Sequence, residues 1–158
     1  MKDSIVLLKP VADDIELQIA RTIRNACRTF MTRSQEEITE EKQRQWWSTV
    51  DKDTLKLYTL NKIYHGAIVD PVGYGLIRVE DGSVLLSGGL IESERGKGLG
   101  YDLFNLLVEN SKPFDLPIRL EVLKTNIAGY KTYLKVGFVV THETDTVYTM
   151  EYNNDSSI

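Results

Sequence analysis

The chain has 158 residues, 42% of them hydrophobic, which is enough for one domain with a sizeable core. Its formal net charge of −4 argues against a general nucleic-acid binder, which is normally basic, and no apolar run approaches the roughly 18 residues that span a bilayer. The single Cys27 excludes an internal disulfide and a cysteine-based zinc site, and His65 and His142 are far apart in sequence, so no metal centre is expected.

In chain order, MKDSIVLLKP has too short an apolar stretch for a signal peptide, so the expected location is cytoplasmic. Within it, SIVLLK (4–9) reads as a strand. Ile15, Ile19, Ile23, Ala26, Cys27 and Phe30 then recur at helical spacing, with Asp13 or Asp14 as cap. RSQEEITEEKQRQWW holds a second helix with two candidate starts. Ser34 with Glu37 fits a capping box, and Thr39 followed by two glutamates fits a later start. TLKLYTL (54–60) alternates as a strand does. PVGYGLIRV (71–79), the turn EDG and SVLLSGGLI (83–91) read as an antiparallel hairpin. Gly88 and Gly89 inside its second strand mark a bulge or a close backbone approach. A helix starts at Leu99, IRLEVL (118–123) reads as a fully buried strand, and NIAGYKTYLKVGF is a helix between an Asn126 N-cap and Gly137. FVVTHE and TVYTMEY form a closing hairpin. The order β-α-α-β-β-β-α-β-α-β-β predicts a mixed α/β (α+β) domain over 1–152, on a largely antiparallel sheet, with 153–158 expected to be a disordered tail.

The chemistry concentrates in SERGKGLGYDLFNLLVE (93–109). Gly96, Gly98 and Gly100 alternate with Arg95 and Lys97, and Leu99, Leu103, Leu106 and Leu107 then follow one helix face. A glycine-rich basic loop running into a helix N-terminus suits an anion, most often a phosphate. A P-loop is excluded because the lysine precedes the second glycine and no Ser or Thr follows. A dinucleotide fingerprint is disfavoured by G-x-G-x-G spacing after a hairpin. R-x-x-G-x-G between an antiparallel strand and a helix remains, with inward N–H groups that approach a pyrophosphate.

IESERGKGLGYDLF resembles the acyl-CoA loop of the GNAT superfamily of N-acetyltransferases. Asn126, Tyr133 and Gly137-Phe138 match that superfamily's N-x6-Y-x3-GF arrangement. The resemblance covers residues 54–150 and implies a central sheet flanked by helices on both faces, with acetyl-CoA as cofactor. It also implies transfer of the acetyl group to a primary amine of a small molecule or amino-sugar, by direct attack through a tetrahedral intermediate. It places the pyrophosphate on the backbone of Arg95, Gly96, Lys97, Gly98, Leu99 and Gly100, with charge added by Arg95 and Lys97. Gly89, Leu90 and Ile91 are expected at the thioester, and Asn126 at the cofactor backbone or as a helix cap. Tyr133 is the candidate general acid, with Tyr130 assigned to the core.

Glu121 matches a catalytic glutamate of some members and is the candidate base if burial raises its pKa; pairing with an Arg or Lys is the alternative. Glu80 and His65 are further candidates. For the acceptor, Arg24, Asn25, Arg28, Phe30, Trp46, Trp47, Tyr58 and Tyr74 are the candidates. Arg24 and Arg28 share a helix face and either bind an acidic acceptor or pair with EEITEE. The acidic composition suits a cationic acceptor through general attraction. A homodimer is the family's expectation. Two rival functions are a protein lysine or N-terminal acetyltransferase and a non-catalytic acyl-CoA-binding regulatory module.

Overall fold

Asp13 decides where the first helix begins, and the rest of the chain follows the predicted order. A computed structural model describes residues 5–153, apart from the Val69 side chain. The expected disorder of the tail falls on 154–158, outside the described residues. The strands are β1 (Ile5–Pro10), β2 (Leu55–Tyr64), β3 (Ala67–Glu80), β4 (Ser83–Leu90), β5 (Ile118–Leu123), β6 (Phe138–Glu143) and β7 (Val147–Tyr152). The helices are α1 (Asp14–Ala26), α2 (Glu40–Thr49), α3 (Leu99–Ser111) and α4 (Ile127–Val136).

Of the two candidate caps of α1, Asp13 accepts from the Glu16 N–H at 2.8 Å. The helix stops at Ala26, short of the predicted Phe30, and a 3-10 turn carries Arg28–Phe30. Thr39, not Ser34, caps α2, accepting from the Lys42 N–H at 3.2 Å. The preceding loop has its backbone satisfied by α1 instead of by helical bonds. Asn25 bonds both the N–H and the carbonyl of Ile38 at 2.9 Å, and Arg24 donates to the carbonyls of Ser34 and Glu36 at 3.0 and 2.8 Å.

The sheet order is β1-β2-β3-β4-β5-β7-β6, and every pairing is antiparallel except β4 with β5. β2 and β3 run longer than predicted and meet at His65–Gly66, whose φ values of 50° and 78° make a tight hairpin turn. The β2–β3 register shifts near Asn61, opposite Pro71, which has no N–H to give the ladder. β3 and β4 pair without a shift, so Gly88 and Gly89 mark close approach and not a bulge. A Cβ on Gly88 would lie 3.1 Å from Leu103 of α3, and one on Gly89 would lie 2.7 Å from the Cys27 Sγ beyond α1.

Those two glycines point to opposite faces, and each face carries its own core. Ile77, Leu86, Leu120 and Met150 pack with Leu103, Phe104 and Leu107 of α3. Leu57 and Tyr74 pack with Leu17, Ala20 and Ile23 of α1. Helices therefore cover both faces, as the resemblance implies. β5 is not buried on both faces. Ile118, Leu120 and Val122 are buried, while Arg119 and Glu121 are half-buried on the α1 side. That side of β5 is open because it forms the wall of a cleft.

Candidate active site

β4 and β5 pair only from Val84–Leu86 to Ile118–Leu120. Beyond that, Ser87–Leu90 and Glu121–Leu123 diverge, and a cavity of about 880 Å³ opens between them. Strand parity fixes which backbone groups face the gap. The Val84 N–H reaches Pro117 beside β5, whereas the Ile91 N–H reaches Val72 of β3 at 2.9 Å. Gly88 and Leu90 share Val84's parity, so their N–H and C=O groups point into the gap. Of the expected thioester contacts, Leu90 faces the gap and Gly89 lines the cavity, with Cys27 packed where a side chain would stand. Ile91 gives its N–H to Val72 of β3 and does not line the cavity.

The glycine loop reaches the same cavity. After a 3-10 turn over Glu92–Glu94, Gly96 and Gly98 adopt φ values of 77° and 82°, the left-handed region that favours glycine. Gly98 is the N-cap of α3 and no side chain caps that terminus. The loop's geometry is therefore that of an open anion cradle on a helix N-terminus. Gly96, Gly98 and Gly100 line the cavity. Leu99 is buried in the core and Lys97 is exposed 3.8 Å from Glu94, so neither side chain does.

Arg95 departs from its expected role. Its N–H closes the 3-10 turn onto Glu92, and its side chain turns back into the cleft. Nε donates to the Leu90 carbonyl at 3.2 Å, Nη2 lies 3.6 Å from the Cys27 Sγ, and the guanidinium sits 5.1 Å from the Phe30 ring centroid. The Arg95 charge is thus aimed at the Leu90 end of the cleft and not at the glycine cradle. Cys27, also in the wall, donates to the same Leu90 carbonyl at 3.3 Å, and burial pushes its thiol pKa up.

On the facing wall, Asn126 caps α4 by accepting from the Gly129 N–H at 3.0 Å and also lines the cavity. Tyr133, two turns on, lies edge-on to Phe104 at 4.6 Å and reaches the cavity between α3 and α4. Burial raises its pKa above the ordinary phenol value, so the hydroxyl stays protonated. Tyr130 stacks instead on Tyr148 and packs against the core. Tyr74, buried in the α1 face, contacts the Ser87 hydroxyl at 3.4 Å, and its pKa is pushed up to about 12 by burial.

Glu121 shows the pairing with an arginine that stood as the alternative to a raised pKa. Burial works to raise its pKa, but hydrogen bonds from Arg33 and Thr32 outweigh it, and the net shift is downward. Oε1 accepts from the Thr32 hydroxyl at 2.9 Å and from Arg33 Nε at 3.1 Å, and Arg33 also holds Glu80 through two bonds of 3.0 and 2.8 Å. The Arg33 hydrogen bonds hold Glu80 low as well. These carboxylates clamp the 31–38 loop onto the sheet. Glu121→Gln is accordingly expected to change kcat by less than about tenfold, as measured by initial rates. A loss of 10³ or more would restore Glu121 as the base. His65 sits in the β2–β3 turn against Tyr64 and does not line the cavity.

The clamp also predicts a pH dependence. Both folded pKa values are depressed, so the pairs contribute stability above the unfolded value near 4.5 and lose it as pH falls through the folded values. Arg33 is about 50% exposed, so screening keeps the contribution to about 1 kcal/mol or less per pair. Arg33→Gln should lower Tm at pH 7 by a degree or more and converge with the parent near pH 3. An equal difference at both pH values would contradict the clamp.

Among the acceptor candidates, Arg24, Phe30, Trp46 and Tyr74 line the cavity. Asn25, Trp47 and Tyr58 do not. Asn25 is spent on Ile38, Trp47 turns to Lys52 (4.6 Å cation–π), and Tyr58 lies on the α3 face because it shares parity with Gly75 and not with Tyr74. Arg28 lies outside too, 3.6 Å from Glu37. Sequence reading missed Cys27, Arg33, Gln43, Ser87 and Arg78 in the cavity wall. Ser87 and Arg78 were findable, because each lies two residues from a position of known face; Gln43 and Arg33 carry no such signal.

No protein-family model and no curated protein matches the sequence. Solved structures do match over nearly the whole chain. A domain from Methanocaldococcus jannaschii superposes with a TM-score of 0.79 at 16% identity, covering 94% of this chain and 99% of that one. Spermidine N-acetyltransferase from Vibrio cholerae, in complex with CoA and spermine, gives 0.76 at 14% identity, covering 92% and 94%. AAC(6')-Ib in complex with paromomycin and acetyl-CoA gives 0.74 at 19% identity, covering 94% and 93%. The chain therefore has the fold of GNAT-type N-acetyltransferases.

Proposed function

We propose that this chain, folded as those enzymes are, is an acetyl-CoA-dependent N-acetyltransferase acting on a primary amine of a small molecule. One observation carries the reading: a single cavity joins the open glycine cradle, the splayed backbone of β4 and the Tyr133 wall. The donor set fits CoA. Gly96 and Gly98 leave room for a pyrophosphate at an uncapped helix N-terminus, and Asn126 lies in the same wall. Bound acetyl-CoA would supply the activated acetyl thioester. The Gly88 and Leu90 N–H groups face the gap and are suited to hold a carbonyl oxygen as charge develops on it. Tyr133 offers a protonated hydroxyl for the departing sulfur. A phenol is a weaker acid than a thiol in water, but a thiolate in the same dry cleft is raised by the same burial.

One feature supports direct transfer to the amine. The Cys27 thiol is buried, with its pKa raised, and engaged by Leu90 and Arg95, so it is a poor acyl carrier. A concave cavity with Phe30, Trp46 and Tyr74 in its walls also suits a small acceptor better than a peptide groove. Among the described residues no helix is long and apolar enough to cross a membrane. β6 is a sheet edge with Val139 and Val140 exposed, which supports pairing with a second copy. The test of the reading is CoA release from acetyl-CoA, measured with and without primary amines. Amine-dependent release is expected. Tight CoA binding with no release for any amine would favour the non-catalytic module.

A further inference from the structure

The chain is acidic overall, at −4, yet its cavity is lined by an excess of cations. On the side formed by α1, the 31–38 loop, α2 and β3 stand Arg24, Arg33, Lys42 and Arg78, against the carboxylate of Glu121. Two of the four are engaged. Arg24 is tied to backbone carbonyls, and Arg33 is shared by Glu80 and Glu121. The side chains of the other two, Lys42 and Arg78, have no hydrogen bond or ion pair among the described residues. Arg78 feels Glu80 only at longer range, and Arg33 already chelates that carboxylate. Beside Lys42 on α2, Gln43 is only 6% exposed and lines the same cavity, and its amide has no hydrogen-bond partner among the described residues. The amide stays open to the cavity's water, which a polar group of a ligand can replace.

We infer that the acceptor amine carries an anion, of the carboxylate or phosphonate class, received by Arg78 and Lys42 with Gln43 as a polar anchor beside them. The inference rests on the acetyltransferase reading and names its substrate class. It reverses the expectation from overall charge: a polyamine or aminoglycoside would bring like charges into a wall already rich in them.

The test is a panel of amines with acetyl-CoA: the standard L-amino acids and their amides, 2-aminoethylphosphonate with ethanolamine, and spermidine and kanamycin. The best acceptor is expected to carry an anion and to exceed its neutral counterpart by about 30-fold or more in kcat/KM. Arg78→Ala should collapse that ratio to within about threefold through KM, Arg78→Lys should retain part of it, and neither should change the Kd for acetyl-CoA. Spermidine or kanamycin as the best acceptor, or a neutral counterpart equal to the acid, would overturn the inference. So would a parallel loss of acetyl-CoA affinity in Arg78→Ala, which would assign the cations to the phosphates of CoA. If acetyl-CoA binds and no amine is acetylated, the enzyme reading has failed. The charge inference is then read by thermal unfolding of the CoA complex with the same anionic amines: stabilisation supports it, and its absence overturns it. Circular dichroism of both Arg78 variants checks that they fold.

Discussion

Tyr133→Phe is expected to lower kcat about 10²–10⁴-fold while leaving the Kd for acetyl-CoA nearly unchanged. The expectation follows from the residue's place: Tyr133 lines the cavity from α4, and burial holds its hydroxyl protonated at neutral pH. The ring is fixed by an edge contact with Phe104 at 4.6 Å and by Phe138 at 6.4 Å, and phenylalanine keeps both. Removal of one oxygen thus separates proton donation from packing. Rapid-quench or initial-rate kinetics with one amine would read it. Unchanged turnover would remove Tyr133 from the chemistry and leave it as a core residue.

Gly98→Val is expected to weaken acetyl-CoA binding by at least about 100-fold, or about 2.7 kcal/mol. Gly98 holds φ at 82° as the N-cap of α3, and a β-branched residue is strained there by about 1–3 kcal/mol. A domain with the usual stability of about 5–15 kcal/mol survives that cost. The side chain would also stand at the uncapped terminus where the pyrophosphate is expected. Calorimetric titration would read the loss, and unfolding without ligand would show that the domain persists. Normal binding by a folded variant would place the phosphates elsewhere.

The element order was legible because each piece carries its own physical signal. Asn126 and Gly137 bracket α4 in the structure as they do in the sequence, since a capping side chain and a C-terminal glycine act locally. The start of α2 was not decidable, because Ser34 and Thr39 are equally good caps. The choice is made by Asn25, 13 residues before Ile38, whose side chain occupies the loop backbone. The side-chain roles in the cleft were harder still. Tyr58 and Tyr74 both look like wall residues, and only the register of β2 against β3 sends them to opposite faces. Arg95 reads as a phosphate ligand from its place in the loop, yet its partner Cys27 lies 68 residues away. Glu121 reads as a buried carboxylate with a raised pKa until Arg33, 88 residues earlier, is seen to hold it down. Local capping is written in a few neighbouring residues, whereas the electrostatics of a cleft depend on which distant segments meet.

The central claim is that the glycine cradle and the splayed strands hold acetyl-CoA. Thermal unfolding with acetyl-CoA, CoA, ATP and NAD, each in turn, tests it most directly. At about 100 times its dissociation constant a ligand adds roughly 2.7 kcal/mol, a rise of several degrees for a domain of this size. Stabilisation by acetyl-CoA and CoA, with none from ATP or NAD, is the predicted result. No shift with either CoA species, or a larger one with ATP or NAD, would contradict the account.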